Sequence, residues 1–188
     1  IFKTQLIGEV LYLVSEYYLY RSANMGMSWE YVDVGFINSE IVALNGTLYM
    51  ASSDSLYSSI DNGVNWDAIK PPISIEQLFV FADLLYALGY NQDYVDELYT
   101  STDGVEWAYA SDGFPDDYSG HPLYGMTNDF FFRDASNHYA FLGRHGHYTS
   151  SDASIQWSSL STSKTGNSYV IHDDVLYLGN HGVYKLQI

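Results

Sequence analysis

Two short loops of the sequence carry a histidine between glycines, a residue type that can bind a ligand or a metal near neutral pH. They are Gly143-Arg144-His145-Gly146 and Gly179-Asn180-His181-Gly182. Neutral imidazoles bind transition metals, and His147 follows the first loop closely. No recognised metal-binding spacing connects these histidines, so we predict no metal site. We interpret Arg144, His145, Asn180 and His181 as a polar rim for a ligand, with exposed hairpin residues as the alternative.

Two longer segments combine tyrosine with carboxylates, amides and histidine. Aromatic faces can stack on a sugar ring while polar groups bond to its hydroxyls, which is the chemistry of glycan recognition. The candidate ligand-binding residues are Tyr90, Asn91, Asp93 and Tyr94 in one segment, and Asp117, Tyr118, His121 and Tyr124 in the other. Clustered carboxylates also suit Ca²⁺. Neither segment matches an EF-hand, so we predict no cofactor and keep calcium as the alternative.

The composition excludes several classes of function. The chain has 188 residues and no cysteine, and 23 acidic residues against 7 basic ones give a formal net charge of −16. Without cysteine there is no disulfide framework, thiol nucleophile or cysteine-ligated zinc. The negative charge argues against nucleic acid and anionic lipid as partners, and no apolar run reaches the ~18 residues of a membrane helix. Scarce lysine, absent cysteine and 19 tyrosines favour an extracellular or cell-surface location.

A repeat organises the chain and positions these loops. Four segments begin with tyrosine, continue with serine and then aspartate or asparagine, and end on tryptophan. They are YRSANMGMSW (20–29), YSSIDNGVNW (57–66), YTSTDGVEW (99–107) and YTSSDASIQW (148–157). The unit is 37 residues long, measured from Tyr12 to Tyr49 and again from Tyr49 to Tyr86. Insertions lengthen it between Tyr86 and Tyr99 and after Trp107.

Within each unit the pattern is that of short strands. Segments such as IVALN (41–45), TLYMA (47–51), SLYSS (55–59) and WDAI (66–69) are rich in β-branched and aromatic residues and are separated by turn residues. Four short strands per unit, repeated about five times, predict an all-β fold, a β-propeller of about five four-stranded blades. The predicted blades cover about 1–35, 36–72, 73–113, 114–163 and 164–188 of a single domain, and the last lacks its outer strand. We expect the repeat tyrosines to fill the space between blades.

We call the four serine-to-tryptophan segments boxes: the first (22–29), second (59–66), third (101–107) and fourth (150–157). Their S-x-D-x-G-x-x-W pattern resembles the Asp-box (BNR) repeat of sialidases, sortilin-type receptors, photosystem assembly factors and secreted bacterial propellers. The second box has the complete pattern. The first has Asn24 in place of aspartate, the third is one residue short, and the fourth has Ser154 in place of glycine.

The resemblance implies that the boxes are structural and lie on the face away from the ligand. The aspartate is expected to accept backbone N–H groups, the glycine to adopt a positive φ, and the tryptophan to seal the hairpin. The predicted structural residues are Ser22, Asn24, Trp29, Ser59, Asp61, Gly63, Trp66, Ser101, Asp103, Gly104, Trp107, Ser150, Asp152 and Trp157.

The resemblance to the Asp-box repeat does not by itself imply sialidase activity. Sialidases have six blades, clamp their substrate with three arginines, and use a tyrosine nucleophile with a glutamate and an aspartate. This chain has Arg21, Arg133 and Arg144, whose positions in the repeat do not converge. Another glycosidase needs two carboxylates roughly 5 to 10 Å apart, a condition that 23 acidic residues do not exclude. We predict no catalytic residue.

Both insertions fall in loops that, in a propeller, share a face with the mouth of the central channel. Insertions into a repeat scaffold tend to carry binding. We therefore predict a non-catalytic extracellular propeller that binds a glycan or protein ligand through this face. The first alternative is a structural subunit that associates with itself in a surface assembly, and the second is a glycoside hydrolase.

Overall fold

The computed structural model describes residues 3–15, 17–35, 41–52, 55–81, 83–93 and 95–110, and seven strands beyond them. For those seven strands the backbone alone is described. The chain divides into two compact units, Ile1–Ala108 and Tyr109–Ile188. Within the described ranges every regular element is a β-strand, and no helix there is long and apolar enough to cross a membrane.

Three four-stranded sheets build the first unit, and in each the strands are neighbours in chain order. The first sheet holds β1 (Lys3–Ile7), β2 (Val10–Val14), β3 (Leu19–Ser22) and β4 (Glu30–Val32). The second holds β5 (Val42–Leu44), β6 (Thr47–Ala51), β7 (Leu56–Ser59) and β8 (Asp67–Ile69). The third holds β9 (Ser74–Phe81), β10 (Leu84–Tyr90), β11 (Asp96–Ser101) and β12 (Ala108–Tyr109).

The strands of the second unit form two sheets. One has four strands, β13 (Phe131–Arg133), β14 (His138–Phe141), β15 (His147–Ser150) and β16 (Ser158–Ser161). The other has three, β17 (Ser168–His172), β18 (Val175–Gly179) and β19 (Val183–Gln187). The predicted all-β architecture of repeated short antiparallel strands is therefore confirmed. The last sheet has three strands among the described residues.

The 37-residue spacing places three tyrosines at equivalent points of the first three sheets. Each sits on the second strand of its sheet, and Tyr12, Tyr49 and Tyr86 are 1%, 3% and 0% exposed. Successive residues of a strand point to opposite faces of a sheet. Because the three tyrosines occupy equivalent positions of their strands, each of the first three sheets buries a tyrosine ring at the same place.

Two apolar clusters fill the spaces between the sheets of the first unit. One joins Tyr12 and Leu19 of the first sheet to Met50 of the second. The other joins Tyr49 and Leu56 of the second sheet to residues of the third sheet and the segment before it, which are Ile73, Ile75, Leu78, Leu85 and Ala87. Each sheet buries apolar side chains on the face that meets its neighbour, and this burial is the main favourable term holding the unit together.

A polar contact also ties the first sheet to the chain segment entering the second. The Gln5 side chain donates from Nε2 to the carbonyl oxygen of Ile41 at 3.0 Å. Its Oε1 accepts the backbone N–H of Ile41, also at 3.0 Å. The amide of Gln5 thereby satisfies both backbone groups of Ile41, which is itself buried.

Candidate functional site

The second box folds into a turn that is held by its serine and its aspartate. Ser59 Oγ accepts the backbone N–H of Gly63 at 2.9 Å and donates to Asp61 Oδ1 at 2.8 Å. The same Oδ1 accepts the backbone N–H groups of Val64 and Asn65, at 3.0 and 2.9 Å. The polar side chains of this box therefore bond inward, to the backbone of their own turn.

The third box makes the same bonds although it is one residue short. Ser101 Oγ accepts the N–H of Gly104 at 2.8 Å, and Asp103 Oδ1 accepts two backbone N–H groups at 2.8 and 3.0 Å. In the longer second box Asn62 and Gly63 both have positive φ, 58° and 78°, whereas in the third box Gly104 does so alone, at 75°. The missing residue is thus the one that precedes the glycine.

The first box shows that an amide can take the place of the carboxylate. Asn24 Oδ1 accepts the backbone N–H of Ser28 at 2.9 Å, and Ser22 Oγ accepts that of Gly26 at 2.8 Å. The Asn24 amide nitrogen donates to Ser28 Oγ at 2.8 Å. The turn therefore needs an acceptor oxygen at this position rather than a negative charge.

The hydrogen bonds of the boxes lower the pKa of both aspartates. The pKa of Asp61 falls to about 2, chiefly because the backbone N–H of Asn65 stabilises the carboxylate. The pKa of Asp103 is lowered mainly by the backbone N–H of Val105. A general acid needs the opposite shift, towards the working pH. Both groups are thus ionised at neutral pH and occupied with their turns.

The tyrosines of the second strands dock onto the box of the following sheet. Tyr12 Oη donates to the carbonyl oxygen of Asn62 at 2.9 Å, and Tyr49 Oη donates to that of Asp103 at 2.8 Å. A Cβ atom on Gly63 would lie 3.0 Å from the ring of Tyr12. On Gly104 it would lie 2.5 Å from the ring of Tyr49. Glycine therefore fits these two positions for two reasons: the backbone has a positive φ, and a tyrosine ring lies close to where a Cβ atom would be.

The box tryptophans differ from one another in their surroundings. Trp66 and Trp107 pack against the apolar clusters, and their indole N–H groups donate to the carbonyl oxygens of Gly63 and Gly104. Trp29 is 37% exposed, which is more open than a sealing residue is expected to be. Unlike Trp66 and Trp107, Trp29 belongs to neither of the two apolar clusters of the first unit.

The predicted ligand loop after β10 is described in part. Asn91 Oδ1 accepts the backbone N–H groups of Asp93 and Val95, at 2.9 and 3.1 Å, and its amide nitrogen donates to Glu97 at 2.8 Å. The Asn91 side chain therefore stabilises the loop by hydrogen bonds to residues of the loop itself. Tyr90 ends β10 half-buried, and Asp93 is exposed at the loop surface.

The other predicted ligand-binding residues lie outside the described residues, and their roles stay predictions. They are Tyr94, Asp117, Tyr118, His121, Tyr124, Arg144, His145, Asn180 and His181. Asp152 and Trp157 of the fourth box lie outside as well, and Ser150 is described by its backbone alone. Among the residues that the structure describes, no group of three His, Asp or Glu side chains could hold a metal ion.

Sequence reasoning missed a groove of about 610 Å³ between the outer strands of the first two sheets. Arg21 on β3 is the cross-strand partner of Glu30 on β4, and the guanidinium forms an ion pair with the carboxylate. The Arg21 side chain is 11% exposed and that of Glu30 is 70% exposed. The first box closes the hairpin of β3 and β4 and so places Arg21 opposite Glu30. The positions of Arg21 directly before the box and of Glu30 directly after it could have predicted this ion pair from the sequence.

Aromatic and acidic residues complete the lining of this groove. They are Tyr57 and Trp66 from the second sheet and its box, with Tyr31, Asp33 and Asp67 among the others. Loss of hydration raises the pKa of Tyr31, and the negative charge of Asp33 raises it further. Tyr31 and Asp33 therefore stand close enough to interact.

Solved structures share this arrangement of sheets. YCF48 bound to a D1 peptide aligns over 98% of this chain and 62% of its own, with a TM-score of 0.59 and 14% identity. An ancestral GH74 enzyme aligns over 94% of this chain and 27% of its own, with a TM-score of 0.64 and 15% identity. These neighbours are β-propellers with antiparallel four-stranded sheets.

The chain has the β-propeller fold. The extracellular domain of a hybrid two-component system from B. thetaiotaomicron is a further neighbour of the propeller, with a TM-score of 0.60 and 12% identity. It aligns over 97% of this chain and 25% of its own. The propeller described here thus spans less than two thirds of each of these proteins. Comparisons with protein-family models and with curated proteins find no match.

Proposed function

We propose that this propeller binds a glycan or a protein ligand without catalysing a reaction, outside the cell or at its surface. The observation that carries the proposal is the alignment of 98% of the chain with YCF48, a propeller whose structure holds a peptide. The extracellular domain among the neighbours agrees with the proposed location. The proposed ligand face is formed by the loops that carry the insertions, 90–97 and 111–126.

The aspartates of the second and third boxes are held in a state that the general acid of a hydrolase could not use. Asp61 and Asp103 both have a lowered pKa and belong to box turns. Each holds backbone N–H groups, so neither is available as a proton donor. The polar groups of the boxes build the scaffold, and the proposed recognition falls to the loops.

We also propose that the boxes are Asp-box repeats and that residues 1–188 form one propeller domain with the predicted blades. The inward hydrogen bonds of Ser59 and Asp61, repeated by Ser101 and Asp103, support the first part. The regular succession of sheets along the chain supports the second.

A second candidate function is a structural subunit that associates with itself. It is favoured by two exposed apolar residues of the first sheet and its box, Leu6 at 56% and Trp29 at 37%. Exposed apolar patches often mark interaction surfaces. Light scattering at increasing protein concentration tests it, since a molecular mass that stays at that of a monomer would rule it out.

The experiment for the main proposal screens the full chain against a printed glycan array and a phage-displayed peptide library. Recovered ligands are then tested on the variant Tyr118→Ala and on its control Tyr109→Ala, an exposed tyrosine on β12 outside the insertion loops. We expect Tyr118→Ala to weaken binding and Tyr109→Ala to leave it unchanged. Failure of both screens, or turnover of a chromogenic glycoside, would contradict a non-catalytic binding function.

A further inference from the structure

The groove between the first two sheets offers a binding site that the loop insertions do not build. Its lining comes from the outer strands β4 and β8, from the second box and from Arg21. Its volume of about 610 Å³ lies within the range of roughly 300 to 1,000 Å³ that is usual for ligand pockets. What it binds is therefore a question independent of the function proposed for the insertion loops.

The positive charge of Arg21 in the groove is already neutralised by Glu30, its partner across the same hairpin. Arg21 is largely buried and pairs with Glu30, whose carboxylate is mostly exposed. The Nε atom of Arg21 is buried and has no hydrogen-bond partner in the described part of the chain. The guanidinium is thus largely buried, and the pair of Arg21 and Glu30 contributes no net charge to the groove.

The accessible charge of the groove is negative. Its lining contains three carboxylates, Glu30, Asp33 and Asp67, and one guanidinium, that of Arg21, so the difference is a net charge of −2. All three carboxylates belong to exposed residues. The whole chain carries a formal charge of −16, which steers cationic partners towards it and repels anionic ones.

Aromatic rings accompany these carboxylates. Tyr57 and Trp66 line the groove and are half-buried, so part of each ring is accessible. The indole N–H of Trp66 donates to the carbonyl oxygen of Gly63 at 3.1 Å, which fixes the ring in place. Carboxylates beside aromatic rings suit a side chain with an aliphatic stem and a cationic head.

We propose that this groove binds a lysine or arginine side chain of a partner protein. The cationic head pairs with the carboxylates of Asp33 and Asp67, and the stem packs on Tyr57 and Trp66. A neutral sugar would leave the negative charge of the groove uncompensated, and an anionic ligand would be repelled by it.

The test uses fluorescence anisotropy with a labelled peptide in which lysine and arginine alternate with glycine and serine. A neutral copy carries glutamine and citrulline in their place. The groove variant Asp33→Asn/Asp67→Asn leaves the pair of Arg21 and Glu30 intact. Its control Glu76→Gln/Glu106→Gln removes the same charge at exposed positions outside the groove. At about 0.15 M salt we expect about fivefold weaker binding for the groove variant and less than about twofold for the control.

The indole N–H signals of the tryptophans provide a second readout that is independent of net charge. The basic peptide should shift the Trp66 signal, assigned with Trp66→Phe, and leave that of Trp107 in place. Equal losses in the two double variants, or equal binding of the neutral copy, would overturn the proposal. A shift of the Trp66 signal by neutral oligosaccharides but not by the basic peptide would overturn it too.

Discussion

Tyr49 Oη donates a 2.8 Å hydrogen bond to the carbonyl oxygen of Asp103, 54 residues further along the chain. Tyr12 makes the equivalent bond to Asn62 at 2.9 Å. In both cases the acceptor is the carbonyl of the residue before the box glycine. Each box therefore has two roles, since it closes its own hairpin and receives the tyrosine of the preceding sheet.

The first prediction concerns the hydroxyl of Tyr49. Tyr49→Phe keeps the buried ring but leaves the carbonyl of Asp103 without this donor, which costs about 1 to 2 kcal/mol. Urea unfolding measures the change in the free energy of unfolding. Tyr109→Phe is the control for the loss of one tyrosine hydroxyl, at a side chain that is 44% exposed. An unchanged stability of Tyr49→Phe would mean that the bond does not hold the two sheets together.

The second prediction separates the two demands on the box glycines. Gly26→Ala and Gly104→Ala both place alanine at a positive φ, 86° and 75°. At Gly104 the new Cβ also meets the Tyr49 ring at 2.5 Å, whereas at Gly26 the nearest side-chain atoms are at 3.7 and 3.8 Å. We expect Gly104→Ala to lose about 2 kcal/mol more than Gly26→Ala in urea unfolding. Equal losses would show that φ alone selects glycine at these positions.

The third prediction is a pH dependence that arises from Asp61. Its pKa in the folded chain, about 2, lies below the ordinary value of 3.8, so the unfolded chain binds the proton more readily. The stabilisation is therefore complete above about pH 4 and is lost as the pH falls towards 2. Asp61→Asn, which copies the asparagine found at Asn24 in the first box, should flatten the fall of the urea midpoint between pH 4 and pH 2. A midpoint that falls as steeply in Asp61→Asn as in the wild type would assign the acid sensitivity to other groups.

The fourth prediction concerns the amide of Gln5. Gln5→Glu removes the donor to the carbonyl of Ile41 and places a carboxylate oxygen against it, which costs about 1 to 3 kcal/mol. Gln92→Glu adds the same charge at an exposed residue and should leave the melting temperature nearly unchanged. Equal melting temperatures for the two variants would show that the bridge from Gln5 to Ile41 contributes little to the contact between the sheets.

The strands and the buried tyrosines could be predicted because their signals repeat. Alternating apolar residues and turn residues recur every 37 residues, and the segment 47–51 is β6 with the predicted bounds. The acceptor oxygen that aspartate or asparagine supplies to the turn follows from local chemistry, as Asn24 shows. A short backbone turn with a bonding side chain needs no information from distant parts of the chain.

The groove could not be predicted, because it depends on how far the outer strands of two sheets diverge. Arg21 and Glu30 share a hairpin, whereas Tyr57 and Asp67 come from a later unit of the repeat. The exposure of Trp29 has a similar origin, since the burial of a box tryptophan depends on contacts outside its own unit of the repeat. Such features depend on packing between units rather than on the pattern within one unit.

The measurement that tests the binding function most directly is amide hydrogen exchange of the full chain with and without a ligand recovered from the screens. The proposal predicts slower exchange in 90–97 and 111–126, the loops that carry the insertions. Protection confined to the first three boxes, with these loops unchanged, would contradict it, because the ligand would then sit on turns that we assign to structure.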